Sequence, residues 1–137
     1  MIYASLVIIF NNKDEILLLK RSQKVDSHRG LWGFPGGKIE EDETSVEAAI
    51  REVKEETDLD IYAKELSYVF TMRKDNEKDI VFYLTNTFSG EVSIDWESED
   101  FSWTKISSLE SIEMVPAPKI IFDMIKAWAD LFSSKSE

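Results

Sequence analysis

The sequence predicts an α/β protein in which a mixed β-sheet lies between helices, as in an α/β/α sandwich. Three observations indicate this class: two strand-like segments open the chain, an amphipathic helix follows a glycine-rich loop, and further strands precede a long final helix. Helices placed between strands in sequence commonly cover the faces of a sheet. The chain has 137 residues, of which 43% are hydrophobic, so we expect a single domain over residues 1–137 with a sizeable core.

The first two segments are predicted strands. Residues 2–10 are rich in β-branched and aromatic side chains and end at the turn signal Asn11-Asn12. Residues 15–21 contain an apolar run, and we expect the two segments to form an antiparallel pair with buried faces. Residues 22–30 are polar and predict a loop with the single histidine, His28, which such a loop usually exposes.

The next element is a helix that begins near residue 44. Thr44 and Glu47 have the spacing of a capping box, in which each side chain accepts a hydrogen bond from the backbone amide of the other residue. The positions that face a core recur at three and four residues; they are Val46, Ala49, Ile50, Val53 and Thr57. The sequence therefore predicts a helix with one buried face.

Glutamates crowd the other side of this helix. Glu52 and Glu56 are one turn apart and Glu55 is three residues from Glu52, so like charges oppose the helix by about 0.2–0.5 kcal/mol for each pair. This repulsion favours a compensating cation, and Mg²⁺ binds through one or two carboxylates together with substrate phosphates. The alternative is a solvated acidic face on an acidic protein.

The second half of the chain predicts strands and two more helices. Residues 60–73 form a strand or two, residues 74–79 a charged hairpin connection and residues 80–88 a strong strand. We expect a short extended stretch at 91–95, an acidic loop at 96–103 with Trp103 packed on the core, and a short helix at 107–109. Pro116 and Pro118 mark the start of the last helix. Its buried stripe consists of Ile120, Ile121, Met124, Ile125, Trp128, Leu131 and Phe132.

Composition and charge exclude several classes of function. The 16 basic and 27 acidic residues give a net charge of −11 with no basic stripe, so we expect no nucleic-acid polymer as a partner. The absence of cysteine excludes disulfides, thiolate zinc sites and thiol nucleophiles. The first ten residues lack the features of a signal peptide, and no apolar run is long enough to span a membrane. The expectation is a soluble cytoplasmic protein without a membrane partner.

The segment from the glycine pair into the helix has the pattern of a known family. Gly37, five residues, Glu43, seven residues and then REVKEETDL over residues 51–59 closely resemble the Nudix box, GX5EX7REUXEEXGU. The preceding run LWGFPGGK, residues 31–38, is similar to the lead-in of MutT-like Nudix proteins. Asp58 departs from the box by replacing a glycine. Aspartate tolerates the left-handed conformation that ends a helix, so we expect a strained but intact helix end.

The resemblance implies a Nudix-like α/β/α sandwich and a metal centre in this chain. Arg51 is expected to pair with Glu43 and to position the helix against the loop. The implied ligands of Mg²⁺ or Mn²⁺ are Glu52, Glu55, Glu56, Glu40 and the carbonyl of Gly36. Substrate contacts are expected from Gly37, Lys38, Trp32 and Phe34. The two aromatic residues could stack on a nucleobase or belong to the core.

The general base is left between two positions. It is Glu52 by analogy with MutT-like members, or Glu97 by analogy with members that use a glutamate six residues before a tryptophan. Glu99 or Asp100 could take the place of Glu97, and the whole loop could equally be a solvated acidic connection.

The predicted activity is the metal-dependent hydrolysis of a phosphoanhydride bond in a nucleoside diphosphate linked to another group. The lead-in favours a MutT-like pyrophosphohydrolase of (deoxy)nucleoside triphosphates, including oxidised ones. ADP-ribose, other nucleotide sugars and dinucleoside polyphosphates are alternative substrates, and a non-catalytic nucleotide-binding regulator is an alternative function. The sequence leaves the oligomeric state open, with a homodimer as one option because Nudix proteins are often dimers.

Overall fold

The computed structural model of the protein describes residues 2–75 and 77–135. Its β-strands are β1 (Ile2–Ile9), β2 (Glu15–Arg21), β3 (Trp32–Gly33), β4 (Gly36–Lys38), β5 (Asp60–Ile61), β6 (Ser67–Asp75), β7 (Lys78–Thr85), β8 (Phe88–Ser89) and β9 (Ser98–Lys105). The α-helices are α1 (Ser45–Thr57) and α2 (Lys119–Lys135). Two short 3-10 helices cover Ala63–Glu65 and Ile106–Ser111, the second of which contains the short helix predicted at 107–109.

The strands form a mixed four-stranded sheet and two smaller antiparallel sheets. The larger sheet has the order β4-β1-β7-β6, and β1 runs parallel to β7 and antiparallel to β4. The second sheet has the order β3-β2-β9, and β5 pairs with β8 alone. Parallel and antiparallel neighbours therefore coexist, as the predicted mixed sheet requires.

The core has two halves, one on each face of the strands. Ile8 of β1 belongs to a cluster with Ile121 and Ile125 of α2, whereas the next residue, Ile9, belongs to a cluster with Val53 of α1. Side chains of β2 and β7 alternate between the two clusters in the same way. Because successive strand residues point to opposite faces, apolar runs in β1, β2 and β7 place one helix on each side. The three-layer α/β/α arrangement is confirmed.

The predicted antiparallel pairing of β1 with β2 is wrong. The two strands lie in different sheets, and the segments meet just beyond β1, where Phe10 bridges to Ile16 and the Asn11 amide donates to the Glu15 carbonyl at 3.0 Å. Each strand is apolar on both faces, so each is a central strand with two other neighbours. A sequence pattern of this kind predicts burial but does not identify the partner strand.

One prediction between residues 91 and 103 also needs correction. Residues 91–95, expected to be extended, lie outside the strands, and the amide of Ser93 donates to the carbonyl of Thr57 at 2.8 Å, which ties this segment to the end of α1. The acidic loop is confined to residues 95–97, because β9 begins at Ser98 and pairs with β2 along its length. Trp103 lies in that strand and stacks on Phe88, with ring centroids 5.4 Å apart. Among the described helices, none is long and apolar enough to cross a membrane.

Candidate active site

Helix α1 is fixed at its start by the predicted capping box. The side chain of Thr44 accepts from the amide of Glu47 at 3.1 Å, and the Glu47 carboxylate accepts from the amide of Thr44 at 2.9 Å. The apolar face of the helix packs on β1 and β4, with Ala49 and Val53 fully buried. The position of every acidic side chain on α1 relative to β4 follows from this packing.

The helix ends at Asp58 as the sequence analysis expects. Asp58 has φ 63° and ψ 10°, the left-handed conformation, and its amide donates to the carbonyl of Lys54 at 3.0 Å. The ammonium group of Lys54 lies 3.3 Å from the Asp58 carboxylate and 3.4 Å from that of Asp60. Aspartate therefore ends the helix where the family pattern has glycine, and the last turn remains closed.

Strand β4 presents its backbone polar groups alternately to β1 and to α1. Residues 35 and 39 hydrogen bond to β1, so residues 36 and 38 face away from it. The amide of Gly36 accordingly donates to the Glu56 carboxylate at 3.3 Å, and the Lys38 carbonyl accepts from the Arg51 guanidinium at 3.0 Å. Sheet edge and helix are joined by these two contacts.

Arg51 is the centre of an ionic network that closes the acidic loop onto α1. Its guanidinium binds both oxygens of the Glu43 carboxylate, at 2.7 and 2.9 Å. A further nitrogen contacts Glu52 at 3.0 Å and Glu55 at 3.3 Å, while Glu40 lies 3.6 Å away. The hydrogen bond from Arg51 lowers the pKa of the Glu43 carboxyl to about 2, and a hydrogen bond from the Glu40 backbone amide acts in the same direction. The structure therefore places Arg51 and Glu43 in the paired arrangement expected of them.

Glu56 lies in the opposite electrostatic environment, one turn further along α1. It is 8% exposed, and burial together with a hydrogen bond to Glu52 raises the pKa of its carboxyl well above the ordinary value. The Gly36 amide acts against that rise. Glu52 is also largely enclosed, with 15% of its side chain exposed, whereas 55% of the Glu55 side chain is exposed. The acidic face of α1 is thus not a solvated face at Glu52 and Glu56.

The two glycines of β4 let these carboxylates approach the backbone. A Cβ atom at Gly37 would lie 2.7 Å from the carboxylate carbon of Glu52. Gly36 has φ 136°, and a Cβ there would overlap the carbonyl of Ser5 and lie 2.7 Å from the Cα of Leu6. Any side chain at either position would displace the strand or the carboxylate.

Glu97 reaches the same region from the loop before β9. Burial, then the neighbouring carboxylates of Asp95 and Glu52, raise the pKa of Glu97, and Arg21 opposes the rise. The loop is anchored by buried Ser22, whose amide donates to the Glu97 carbonyl at 2.9 Å and whose hydroxyl donates to the Trp96 carbonyl at 2.9 Å. The structure therefore brings Glu97 within electrostatic reach of Glu52, although 45 residues separate them in sequence.

An open cleft of about 830 Å³ connects these groups. Its acidic wall consists of Glu52, Glu55, Glu56 and Glu97, with Gly36, Gly37 and Lys38 beside them. Phe34 lines the cleft from a buried position, 8% exposed, and packs edge-on against Phe82. Trp32 is not part of the lining and instead bridges by its backbone to Met114, and Glu40 and Glu43 lie behind the wall on Arg51.

Several residues at or beside the cleft have no signal in the sequence. Ser22, which holds the Glu97 loop from outside the lining, and the apolar wall at 114–117 belong to segments that resemble ordinary connections. His28 lines the cleft from an exposed position with φ 54°. These residues come together because the end of β2, the start of β9 and the segment before α2 meet here, which a local pattern does not reveal.

The chemistry of the wall fits a hard divalent cation. Within residues 2–75 and 77–135, no three acidic or histidine side chains are grouped closely enough to hold a metal ion by themselves. The carboxylates of Glu56, which is buried, and Glu52, which is largely enclosed, nevertheless lie close enough to raise the pKa of the Glu56 carboxyl. A divalent cation would offset this repulsion, and Mg²⁺ completes its coordination with water and substrate phosphate oxygens.

Comparison with known proteins agrees with this geometry. The family model described as the NUDIX domain matches residues 2–125. The ADP-ribose pyrophosphatase of Methanocaldococcus jannaschii is 30% identical over 132 residues, which cover 93% of this chain and 72% of that protein. A provisionally named 8-oxo-dGTP diphosphatase of Bacillus subtilis (strain 168) is 29% identical over 113 residues, 82% of this chain and 72% of that protein.

A solved structure gives the same result for the fold. The crystal structure of the MutT protein from Methanosarcina mazei Go1 superposes with a TM-score of 0.74 at 25% identity, covering 96% of this chain and 95% of that one. The family match spans α1, the first part of α2, the glycine loop and the acidic wall. The chain therefore belongs to the Nudix family, whose members are hydrolases acting on nucleoside diphosphate derivatives.

Proposed function

We propose that this protein is a MutT-like pyrophosphohydrolase that uses Mg²⁺ or Mn²⁺ to convert a (deoxy)nucleoside triphosphate and water to a nucleoside monophosphate and pyrophosphate. Oxidised deoxynucleotides are candidate substrates. The observation that carries the proposal is the buried carboxylate pair of Glu52 and Glu56 at the wall of an open cleft, facing the backbone of Gly36. The similarity to the Bacillus subtilis diphosphatase and to MutT structures supports the triphosphate as substrate.

Nudix hydrolases use divalent metal ions, and this wall has suitable donors. Glu52 and Glu56 would hold the ion, with the Gly36 carbonyl and Glu55 as further oxygen donors, whereas Glu40 lies outside the cleft lining and contacts Arg51 instead. A bound ion supplies neutralisation of the phosphate charge and a lowered pKa for water. Without it, a negatively charged substrate would meet five carboxylates in the cleft, those of the acidic wall and of Asp26.

The residues of the chain have distinct tasks in this proposal. Arg51 holds the loop and helix together through Glu43 and the Lys38 carbonyl, and it keeps one oxygen of Glu52 in a fixed orientation. Glu97 is the general base. Its pKa is raised, which favours proton acceptance near neutral pH. Glu52 is less suited to the role, because Arg51 already binds its carboxylate.

ADP-ribose is the second candidate substrate. The relative from Methanocaldococcus jannaschii, which covers 93% of this chain, is named as an ADP-ribose pyrophosphatase. The diphosphate of ADP-ribose presents the same linkage to the acidic wall, so only the groups beyond the diphosphate distinguish the two candidates.

Product analysis over a nucleotide panel tests the proposal. Wild-type protein with Mg²⁺ is incubated with dNTPs, 8-oxo-dGTP, ADP-ribose and a dinucleoside tetraphosphate, and the products are separated by ion-exchange chromatography. We expect monophosphate and pyrophosphate from the triphosphates. Preferential cleavage of ADP-ribose to AMP and ribose phosphate would favour the second candidate, and a nucleotide that binds but is recovered intact would favour a regulator.

A further inference from the structure

A cluster of lysines surrounds one tyrosine at the end of β4. The ammonium groups of Lys38, Lys74 and Lys78 lie 5.5, 5.7 and 4.8 Å from the centroid of the Tyr3 ring. The four residues come from four strands, since Tyr3 lies in β1, Lys38 in β4, Lys74 in β6 and Lys78 in β7. We call them the lysine cluster. Its assembly is a product of the sheet, because 35 residues separate Tyr3 from Lys38 and 36 more separate Lys38 from Lys74.

Three acidic residues, Asp75, Glu77 and Asp79, flank the lysine cluster in the hairpin of β6 and β7. Lys20, Lys54 and Lys126 each contact a carboxylate, whereas within residues 2–75 and 77–135 no carboxylate lies at ion-pair distance from the three cluster lysines. A phenol ring attracts cations only at its two faces. Three like charges are therefore gathered around a single ring.

The field around Tyr3 is correspondingly positive. A hydrogen bond with Lys38 is the main cause that lowers the pKa of the Tyr3 phenol, and the charges of Lys78 and Lys74 act in the same direction. Asp79, an acidic neighbour on β7, is engaged by the guanidinium of Arg73. In a protein with a net charge of −11, such a concentration of unpaired cations is a local exception that an anion would stabilise.

The lysine cluster lies at one end of the candidate active site. Tyr3, Lys38 and Lys74 line the same cleft as Glu52 and Glu56. Lys38 follows Gly36 by two residues in β4, which corresponds to about 7 Å along a strand. A phosphate chain that begins at the acidic wall can reach the ammonium groups by extending along this strand.

We propose that the lysine cluster binds the terminal phosphate of a nucleoside triphosphate and makes the enzyme prefer triphosphates to diphosphate substrates. The inference rests on the proposed function for its substrate class, and it adds the determinant of that class. ADP-ribose carries a neutral ribose beyond its diphosphate and would leave the lysines without an anion.

Affinity measurements with non-hydrolysable nucleotides test the inference. Calorimetry in Mg²⁺ compares methylene-bridged analogues of dGTP and dGDP on the wild type and on the double variant Lys74→Gln/Lys78→Gln. We expect the Kd of the triphosphate analogue to rise about tenfold and that of the diphosphate analogue to change less than twofold, because only the third phosphate loses charged donors. Equal weakening of both analogues, no weakening of either, or no triphosphate affinity in the wild type would overturn the inference.

A matched control variant and a separate turnover assay distinguish failure of the lysine proposal from failure of the proposed function. The variant Lys13→Gln/Lys64→Gln removes the same charge at exposed positions outside the cleft and should leave both affinities unchanged. Turnover over the nucleotide panel is measured on the wild type independently. A protein that binds the triphosphate through the lysines without hydrolysing any nucleotide contradicts the proposed function alone, whereas turnover without the analogue difference contradicts the lysine subsite alone.

Discussion

The carboxyl groups of Glu43 and Glu56 lie near each other in opposite electrostatic environments: the pKa of Glu43 is lowered and the pKa of Glu56 is raised. Glu43 receives two hydrogen bonds from Arg51, and its pKa falls to about 2. Glu56 receives a 3.3 Å contact from the Gly36 amide and faces Glu52, and its pKa rises well above 4.5. The first carboxylate is compensated by the protein itself, whereas the second would be stabilised by a proton or an added cation. The contrast supports a structural role for Glu43 and, within the proposed function, a ligand role for Glu56.

The largest expected effect comes from removing the negative charge of Glu56 or of Glu52 in the cleft. Glu56→Gln and Glu52→Gln should each lower kcat by about three orders of magnitude, since a metal ligand and the orientation of the reacting groups are lost. Steady-state kinetics in saturating Mg²⁺ measures this. Glu47→Gln, on the exposed start of α1, is the matched control and should change kcat less than twofold. Full activity in both cleft variants would contradict the site assignment.

A smaller loss of activity is expected when the pair of Arg51 and Glu43 is broken. Arg51→Ala frees the acidic loop from α1 and should lower kcat/KM by about 10- to 100-fold through misplacement of Glu52 and the loop. Arg51→Lys should recover only part of that loss, because an ammonium group cannot bind both Glu43 oxygens and the Lys38 carbonyl in the fixed fork of a guanidinium. Unchanged kcat/KM in Arg51→Ala would show that the pairing of Arg51 with Glu43 does not position the catalytic groups.

The sequence predicts the pair of Arg51 and Glu43 more completely than it predicts the environment of Glu56. The spacing of Glu43 and Arg51, the capping box at Thr44 and the left-handed end at Asp58 are local features, and the structure has each of them as expected. The three-layer fold also follows from the order of elements and their apolar patterns.

Features that depend on distant contacts could not be predicted in the same way. The sequence places Glu52, Glu55 and Glu56 on one side of α1, but it cannot show that Glu56 is buried against Gly36 while Glu55 stays exposed. The partners of β1 and the start of β9 were mispredicted for the same reason, since apolar strands pair by tertiary register. The lysine cluster combines four strands and has no local signal.

The stability of the metal-free protein sharpens the comparison by its pH dependence. The pKa of Glu56 in the folded state lies above its ordinary value of 4.5. The protonated carboxyl therefore contributes fully to the stability of the fold below pH 4.5, and this contribution is lost as the pH rises through the folded-state pKa. Glu56→Gln should therefore be more stable than the wild type at pH 8 in EDTA, and the difference should shrink at pH 4. Urea unfolding at the two pH values measures it. A variant less stable than the wild type at pH 8 would mean that the buried carboxylate is compensated after all.

Glu43 should show the opposite sign in acid. Its folded-state pKa lies near 2, below the ordinary value of 4.5, so the stability from its pairing with Arg51 is present above pH 4.5 and is lost as pH falls towards 2. The urea midpoint of the wild type should fall over this range more steeply than that of Glu43→Gln, which has no carboxyl to protonate there. Parallel curves for the two proteins would remove the distinction between the two carboxylates.

The smallest effect is expected at Asp58, an exposed acidic residue at the end of the same helix. Its role is conformational, since φ is 63° and the nearby Lys54 makes an ion pair of little value at an exposed position. Asp58→Gly should be more stable than Asp58→Ala by about 1 kcal/mol, because glycine adopts the left-handed region without strain. Both variants should retain wild-type kcat, as the residue lies outside the cleft lining. If alanine were as stable as glycine, the helix end would be held by Lys54 and Asp60 rather than by backbone conformation, and electrostatic compensation would extend along all of α1.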